Sequence, residues 1–247
     1  HVRSRRQRQM CIRDRFLHDS EVRDIVICGG APGLNQNQLQ EFLHCHPQAY
    51  LIGVDGGNLA LLQSDLPHID LALGDFDSVT QEQFEAIQAK SKRMQRYQAE
   101  KDDTDMELAL KVASQMQAEG EVVVTIFGGI GGQPGRLDHL LANLWMLMED
   151  RFANLLGRLT FVEEKVIIKQ FGPGKYCLED LNQSHYLSII SMTPVRQLRI
   201  EGAKYNLPAT DFAFPRALIS NEYLPNDTMI NMAFDQGIVM VLWVIED

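Results

Sequence analysis

The chain has 247 residues, of which 45% are hydrophobic and 23% charged, a composition typical of a globular protein with one large or two small domains. Its formal net charge of −10 argues against nucleic acid as the main partner, because phosphate backbones are bound by clustered Lys and Arg. The sequence contains no run of 18 apolar residues, so we predict no membrane-spanning segment and no membrane partner.

The N-terminal segment and the cysteines bear on where the protein acts. Residues 1–20 form a leader with six Arg against two Asp, a net charge of +4, which leaves −14 for the remainder. We predict that this leader is disordered or not part of the native protein, with an organellar transit peptide as the alternative. The four cysteines show no CxxC pair and no zinc-site spacing, which favours reduced thiols and a cytoplasmic location.

Residues 21–157 alternate short β-rich runs with helical patterns, which predicts a Rossmann-like, three-layer α/β domain with a parallel sheet. The predicted strands cover residues 24–28, 50–54, 69–73, 94–98 and 122–127. Open parallel sheets bind ligands outside the carboxyl ends of their strands. The residues that follow these segments are therefore the candidate binding site.

Capping signals and apolar periodicity predict the helices of this domain. Thr104 followed by Glu107 matches a capping box, and the apolar residues after it recur at helical spacing, namely Met106, Ala109, Leu110 and Ala113. Ser78 with Gln81 gives a second such start. A further helix is predicted from an apolar face made of Leu137, Leu140, Leu141, Leu144 and Met148.

The pattern changes after residue 158, where alternating and β-branched runs are separated by Gly, Pro, Asn and Asp. The predicted strands are 159–163, 165–171, 175–179, 186–192, 197–201, 217–220, 228–234 and 238–245. This spacing predicts an all-β domain over residues 158–247, built as a sandwich or a small barrel. The alternative for the first strand is that it completes the parallel sheet of the preceding domain.

The segment Gly74-Asp75-Phe76-Asp77-Ser78 follows the third predicted strand and carries two carboxylates. In an extended strand, residues two apart point to the same side, so Asp75 and Asp77 are predicted to converge on one point. At a separation of about 4 Å, two like charges repel by roughly 4 kcal/mol at an effective dielectric of 20. The pair needs a cation, a proton or solvent between its members, and a divalent cation is the favoured interpretation.

A second acidic segment, Lys101-Asp102-Asp103-Thr104-Asp105, lies at the start of a predicted helix. The helix dipole alone accounts for Asp105, but not for the whole cluster. If the loops converge, the carboxyl edge of the sheet holds five carboxylates, a density that a pocket tolerates only with cations. Hard oxygen ligands select Mg²⁺ or Ca²⁺ over zinc, and Mg²⁺ characteristically shares its coordination sphere with substrate phosphates.

Glycine-rich segments follow three of the predicted strands. Residues 128–135 contain five glycines in eight positions and lead through Arg136 into a helix, an arrangement that suits a polyphosphate, although it matches neither a Walker loop nor GxGxxG. The glycines of residues 28–33 allow a phosphate to approach the backbone or simply form a tight turn. Asp55, in Asp55-Gly56-Gly57-Asn58, is predicted either to bind a ribose or a metal-bound water, or to cap a helix.

Taken in order, DGG, GDFDS, KDDTD, the glycine-rich loop ending in GRLDH, and Ser220-Asn221-Glu222 resemble the thiamine pyrophosphokinase family. The resemblance covers roughly residues 24–245. It implies an α/β domain followed by a β-sandwich domain, and a homodimer whose active sites lie between subunits. It also implies an enzyme that transfers the terminal diphosphate of ATP to the hydroxyl of thiamine, giving thiamine diphosphate and AMP.

The resemblance also implies roles for individual residues. Mg²⁺ would be held by Asp75, Asp77 and Asp102, which together with Asp105 would form the catalytic set. ATP would be bound by Asp55, Gly56, Lys101, Thr104, Gly129, Gly132, Arg136, Asp138 and His139. Thiamine would meet Ser220 and Asn221, and would stack on Tyr205, unless Tyr205 is only a sheet-surface aromatic. His139 has a helix-start role as its alternative.

One departure from the family pattern concerns the glycine-rich loop. The family commonly has GGRxDH, whereas Gln133-Pro134-Gly135 stand between Gly132 and Arg136 in this chain, which either shifts Arg136 or lengthens the loop. Other functions considered are a different Mg²⁺-dependent nucleotide kinase, a phosphohydrolase, and a non-catalytic protein that binds thiamine or a nucleotide.

Overall fold

The structure is a computed structural model, and it describes residues 23–66, 68–97, 102–130, 136–181, 184–225 and 227–245. The predicted leader, residues 1–20, lies outside them. The chain forms two compact units, which divide between Glu164 and Lys165. Within the described residues, no helix is both long and apolar enough to cross a lipid bilayer.

The first unit alternates strands and helices, which confirms the predicted α/β class. In chain order its elements are β1 (Arg23–Cys28), α1 (Gln36–Cys45), β2 (Tyr50–Val54), α2 (Gly57–Leu62), β3 (Leu71–Gly74), α3 (Gln81–Lys90), β4 (Met94–Arg96), α4 (Asp105–Glu119), β5 (Val122–Phe127), α5 (Leu137–Trp145), two 3₁₀ helices (Met146–Met148 and Asp150–Leu155) and β6 (Leu159–Val162). The helix α1, which was not predicted individually, begins after Asn35, whose side chain accepts a hydrogen bond from the Gln38 amide.

The strands of this unit pair in parallel in the order β6-β5-β1-β2-β3-β4. Since β6 pairs with β5, the alternative in which this strand completes the parallel sheet is confirmed. The strand order reverses at β1, which lies between β5 and β2. The loops after β1 and β5 therefore flank the topological switch point, where open α/β sheets bind their ligands.

Several predicted boundaries of this unit need correction. The helix α3 is capped by Thr80 with Gln83, and not by Ser78 with Gln81. The strand β3 begins at Leu71, because Ile69 forms only an isolated bridge with Ser91. The strand β4 spans three residues, and Gln98, its predicted end, lies outside the described residues.

The predictions for α4 and α5 had different outcomes. The capping box at Thr104 is present, and the four predicted apolar residues of α4 are buried. The helix α5 is also present, but its apolar face is not covered, since Leu137 is 66% exposed and Trp145 52% exposed. Met148 falls in the following 3₁₀ helix. Periodicity predicts that a helix has an apolar face, but not what covers it.

The second unit contains strands only, as predicted. They are β7 (Val166–Phe171), β8 (Gly174–Glu179), β9 (Tyr186–Ser191), β10 (Val195–Glu201), β11 (Leu207–Phe212), β12 (Arg216–Asn221), β13 (Met229–Phe234) and β14 (Val239–Val244). The strand β11 was not predicted, because it contains Pro208, is largely exposed and pairs with β10 through shifts of register.

These strands form two antiparallel sheets, with the orders β12-β9-β14-β7 and β11-β10-β13-β8. One buried cluster draws Ile167, Leu187, Ile189, Val239, Val241 and Trp243 from the first sheet, and Leu178, Leu198, Ile200, Ile230, Met232 and Phe234 from the second. Two sheets that share a core face to face make a sandwich, so the barrel alternative is wrong.

Candidate active site

The loops after β1, β2 and β5 contact one another through their main chains. The Ala31 amide donates to the Gly128 carbonyl at 3.1 Å. A Cβ atom on Gly29 would lie 2.4 Å from the same carbonyl oxygen, and a Cβ atom on Gly57 would lie 2.0 Å from the Cys28 carbonyl. These glycines are therefore required by the packing of loop against loop, which leaves the backbone at the switch point free of side chains.

Asp55 joins the loop after β2 to the acidic loop after β3. Its backbone is in the left-handed region, with φ of 45°, and its amide donates to the Leu73 carbonyl at 2.9 Å. A Cβ atom on Gly74 would lie 1.9 Å from Asp55 Oδ1, so the carboxylate rests against the start of the GDFDS segment. The N-cap of α2 is Gly56, without a side-chain hydrogen bond, so the helix-cap alternative for Asp55 is wrong.

The conformation of Asp75-Phe76-Asp77 differs from the predicted extended strand. The strand β3 ends at Gly74, Phe76 has φ of 59°, and the Asp77 amide donates to Asp75 Oδ1 at 3.0 Å. Phe76 is buried with Ala72 and packs edge-on against Phe84, with 5.4 Å between ring centroids. A left-handed turn anchored by the Phe76 ring therefore leaves Asp75 half-buried and Asp77 exposed.

The acidic segment before α4 is divided by its contacts. Thr104 and Glu107 form the capping box, with the Thr104 amide donating to Glu107 Oε2 at 2.6 Å. Asp103 accepts hydrogen bonds from Lys111 and Arg151, and these contacts, that from Lys111 above all, hold its pKa below the usual range. Asp102 is exposed, which leaves its carboxylate accessible. Lys101 lies outside the described residues.

The start of α4 reaches the switch point. A Cβ atom on Gly29 would lie 2.9 Å from the Met106 methyl carbon, so the first turn of α4 is next to the loop after β1. Asp105 is the first residue of the same helix. The structure therefore brings the KDDTD segment to the edge where the GDFDS and glycine-rich segments lie.

Two buried polar side chains hold the described part of the glycine-rich loop. The Asn143 amide group donates to the Gly129 carbonyl, and the Ile130 amide donates to Glu163 Oε1 at 2.8 Å. Neither Asn143 nor Glu163 was predicted as a site residue. For Glu163 a signal was available, since it follows a strand at the same edge of the sheet. Gly132 and the Gln133-Pro134-Gly135 insertion lie outside the described residues.

Arg136 and Asp138 bind each other at the start of α5. Arg136 Nε lies 2.9 Å from Asp138 Oδ1, and both side chains are exposed. The neighbouring guanidinium lowers the pKa of Asp138 to about 2. His139 is exposed in the first turn of the same helix. Both charges of the pair are accessible to a ligand from solvent.

The carboxylates of this edge do not form a closed metal cage. Within the part of the chain that the structure describes, no three His, Cys, Asp or Glu side chains are grouped closely enough to hold a metal by themselves. The donor set at the edge is nevertheless made of aspartate oxygens, the ligands that Mg²⁺ prefers. Because Mg²⁺ usually retains waters and takes further oxygens from substrate phosphates, an open carboxylate edge fits this ion.

In the second unit, Tyr205, Ser220 and Asn221 lie together. Asn221 is buried, its Oδ1 accepts from the Tyr205 amide at 2.9 Å, and its Nδ2 donates to the Tyr205 carbonyl at 2.8 Å. Ser220 has φ of 57°, in the left-handed region. Tyr205 is 59% exposed and lies in the connection between β10 and β11, so the alternative of a strand-surface aromatic is wrong.

A charged pair lies beside the Tyr205 ring. Lys204 Nζ is 5.6 Å from the ring centroid and 2.6 Å from Glu222 Oε1. The Lys204 amide also donates to the Glu222 carbonyl at 2.9 Å. The connection that carries Tyr205 is therefore tied to residues 221–222 by main-chain and side-chain contacts.

Two family models match the sequence. The model described as "Thiamin pyrophosphokinase, catalytic domain" matches residues 44–155, and the one described as "Thiamin pyrophosphokinase, vitamin B1 binding domain" matches residues 175–239. A thiamine pyrophosphokinase of Bacillus subtilis (strain 168) is 33% identical over 193 residues, which are 77% of this chain and 85% of the relative.

Solved structures give the same result. A thiamin pyrophosphokinase family protein from Enterococcus faecalis is 32% identical with a TM-score of 0.76, over 91% of this chain and 100% of that one. The thiamine pyrophosphokinase structure from Bacillus subtilis is 28% identical with a TM-score of 0.74, over 91% and 100% of the two chains. The yeast thiamin pyrophosphokinase, at 12% identity and a TM-score of 0.67 over 92% and 88%, shares the fold.

Proposed function

The chain belongs to the thiamine pyrophosphokinase family, and from that premise we propose that it binds ATP with Mg²⁺ at the carboxyl edge of its parallel sheet. The family's activity is the transfer of diphosphate to thiamine, and the chain is accordingly a thiamine diphosphokinase. The observation that carries the site proposal is the series of contacts that joins the loops after β1, β2, β3 and β5 with the start of α4.

We assign the nucleotide to this edge. The residues assigned to it are Asp55, Gly56, Lys101, Thr104, Gly129, Gly132, Arg136, Asp138 and His139. The assignment is supported by the bare backbone at Gly29 and Gly128, which a phosphate can approach closely, and by the accessible Arg136 guanidinium.

Asp75, Asp77 and Asp102 would hold the Mg²⁺ ion. When bound, Mg²⁺ neutralises charge that develops on the polyphosphate during transfer. The proposal is supported by the left-handed turn at Phe76, which presents Asp75 and Asp77 on a loop anchored in the core. Asp102 is also exposed, whereas Asp103 is bound by Lys111 and Arg151.

The transfer proceeds in one step. The hydroxyl oxygen of thiamine attacks the β-phosphorus of ATP, the bond from that phosphorus to the α–β bridging oxygen breaks, and AMP leaves. The hydroxyl proton passes to a carboxylate of the catalytic set, Asp75, Asp77, Asp102 and Asp105. The protein's main tasks are alignment of the nucleophile and stabilisation of charge, as is usual for phosphoryl transfer.

Thiamine is assigned to the second unit. Tyr205 would stack on the substrate, and Ser220 and Asn221 would lie beside it. Support comes from the exposed Tyr205 ring, which Asn221 fixes through both main-chain groups of that residue. Thiamine is a cation, which suits a chain with a net charge of −10.

The active enzyme is proposed to be a cytoplasmic homodimer with its sites between subunits. Each unit exposes apolar side chains that an interface would cover, with Leu137 and Trp145 on α5, and Phe214 and Ile219 near β12. Cys28, Cys45 and Cys177 are free thiols, in keeping with a reducing compartment. Neither nucleic acid nor a membrane is proposed as a partner of this acidic chain.

Separation of the products formed from ATP, Mg²⁺ and thiamine tests the proposed reaction. AMP together with thiamine diphosphate supports it, whereas ADP together with thiamine monophosphate contradicts diphosphate transfer. Residues 75–79 read DFDSV, which also satisfies the phosphohydrolase pattern DxDx[TV], so a reaction without thiamine is the necessary control. Phosphate release that does not depend on thiamine would indicate a phosphohydrolase, and binding without any product would indicate a non-catalytic protein.

A further inference from the structure

Arg151 connects three carboxylates around the acidic segment before α4. It lies in the second 3₁₀ helix, Asp150–Leu155, and each guanidinium nitrogen has its own partner. Its Nη1 is 2.5 Å from Asp103 Oδ1, its Nη2 is 2.9 Å from Glu107 Oε1, and its Nε is 2.7 Å from Glu149 Oε2. The contacts to Asp103 and Glu107 join residues 48 and 44 positions apart in the sequence.

Both distant partners of Arg151 flank proposed site residues. Asp103 follows Asp102 directly, and Glu107 is the capping-box residue whose other oxygen accepts from the Thr104 amide at 2.6 Å. Asp105 lies between the two clamped positions. Arg151 therefore holds both sides of the short segment that carries Asp102 and Asp105.

Arg151 is itself fixed by its surroundings. Its Cζ lies 4.6 Å from the centroid of the Phe152 ring, and Phe152 is fully buried. The Arg151 carbonyl accepts a hydrogen bond from Ser114 Oγ at 3.1 Å, and Asn154 Nδ2 donates to the Ser114 carbonyl at 3.1 Å. The 3₁₀ helix is thus attached to α4, and the guanidinium is preorganised rather than freely rotating. A planar fork with three partners is more specific than an isolated surface ion pair.

We propose that Arg151 is a positioning residue for diphosphate transfer, which keeps Asp103 away from the metal and fixes the backbone that carries Asp102 and Asp105. The inference rests on the proposed function of those two residues. Without Arg151, Asp103 becomes a competing carboxylate next to Asp102, and the segment loses its connection to the 3₁₀ helix. Lys111, which also binds Asp103, holds only one of the two flanking acids.

Replacement of Arg151 by Met tests this role, because Met retains an apolar stem beside Phe152 but removes all donors. Loss of a residue that orients metal ligands typically costs roughly 10- to 100-fold in metal affinity or activity. We expect the Mg²⁺ concentration for half-maximal activity to rise within that range, while the KM for thiamine stays within about twofold of wild type. Arg151→Lys, which keeps the charge but loses the fork, should restore part of the loss.

Arg158→Met is the matched control. Arg158 also pairs with a carboxylate of the same unit, with Nη2 2.9 Å from Glu121 Oε1, and its side chain is 30% exposed against 35% for Arg151. Arg158 and Glu121 precede β6 and β5, so they lie at the amino ends of the strands, opposite the proposed site. This variant should keep the Mg²⁺ requirement of wild type.

Amide hydrogen exchange provides a readout that does not depend on activity. In the metal-free protein, peptides covering residues 102–110 should exchange faster in Arg151→Met than in wild type or Arg158→Met. If folded Arg151→Met keeps the wild-type Mg²⁺ requirement and exchange rate, or if its thiamine KM rises as much as its Mg²⁺ requirement, the inference is overturned. If wild type makes no thiamine diphosphate, the proposed function fails instead, while the exchange data still decide whether Arg151 orders this segment.

Discussion

The two proposed substrate sites are built in different ways. At the edge of the parallel sheet, neighbouring loops hold one another through main-chain contacts, and Gly29, Gly57 and Gly128 make this close approach possible. In the sandwich, one side chain, that of Asn221, fixes the connection that carries Tyr205. The first site should therefore lose function when a reacting group or the loop packing is changed, whereas the second depends on a single amide.

The largest effect is expected from Asp77→Asn, which removes a charge from the proposed metal site. Turnover should fall by roughly 100- to 1,000-fold, the scale on which a preorganised electrostatic group acts. Because Asp77 is exposed, the free energy of unfolding should change by less than about 0.5 kcal/mol. Steady-state kinetics and thermal melting measure both. Asp65→Asn, an exposed acid in the connection between α2 and β3, should stay fully active.

Near-normal turnover in Asp77→Asn would remove Asp77 from the metal site. A large loss in Asp65→Asn would show that overall negative charge matters more than the identity of the site.

The next effect concerns the packing of the loops at the switch point. In Gly29→Ala, the new methyl would meet the Gly128 carbonyl at 2.4 Å and the Met106 side chain at 2.9 Å, so the loops must separate. We expect a loss of about 1–3 kcal/mol in the free energy of unfolding and a raised KM for ATP. Denaturant titration and kinetics measure these changes.

Gly120→Ala is the control for Gly29→Ala, since no atom lies within 4 Å of a Cβ at that position. If both alanine variants behave alike, close packing of the loops is not what shapes the first site.

Asn221→Ala tests the dependence of the second site on one amide. The substitution leaves both main-chain groups of Tyr205 without their partner, which should raise the KM for thiamine by roughly tenfold while kcat for bound substrate changes less. If Asn221 acts by holding Tyr205, the effects of Asn221→Ala and Tyr205→Ala will not add in the double variant. Asn231→Ala, an exposed residue on β13, serves as control.

Additive effects in the double variant would mean that Asn221 acts independently of the Tyr205 ring. A Tyr205→Ala variant with unchanged thiamine affinity would remove the stacking proposal altogether.

The smallest effect is expected from Arg136→Gln. Arg136 and Asp138 are exposed and bind mainly each other, so the melting temperature should not change measurably. Without the guanidinium, the pKa of Asp138 should rise from about 2 towards its ordinary value, which an NMR titration of the carboxyl carbon can follow. The KM for ATP should rise a few-fold if Arg136 binds the nucleotide. An unchanged KM would show that the insertion has removed Arg136 from the site.

The sequence predicted where the acids and glycines lie, because their segments directly follow strands whose apolar runs are easy to identify. It did not predict the turn at Asp75–Asp77, since that conformation depends on the burial of Phe76 among residues distant in the chain. The roles of Asn143 and Glu163 were missed for the same reason. Their hydrogen bonds join positions 14 and 33 residues apart.

The second unit contains a comparable gap. The pattern of Leu207–Phe212 is too exposed and irregular for a strand prediction, although β11 pairs with β10. The motif Ser220-Asn221-Glu222 indicated a thiamine site through family resemblance, but nothing in its letters indicated that Asn221 binds the main chain of Tyr205.

Transfer of an intact diphosphate is the central claim, and ATP labelled at the β-phosphorus tests it most directly. In a reaction with thiamine and Mg²⁺, we predict that the β-label appears in thiamine diphosphate and that AMP forms in equal amount. Label that remains in ADP, with thiamine monophosphate as the product, would contradict the account.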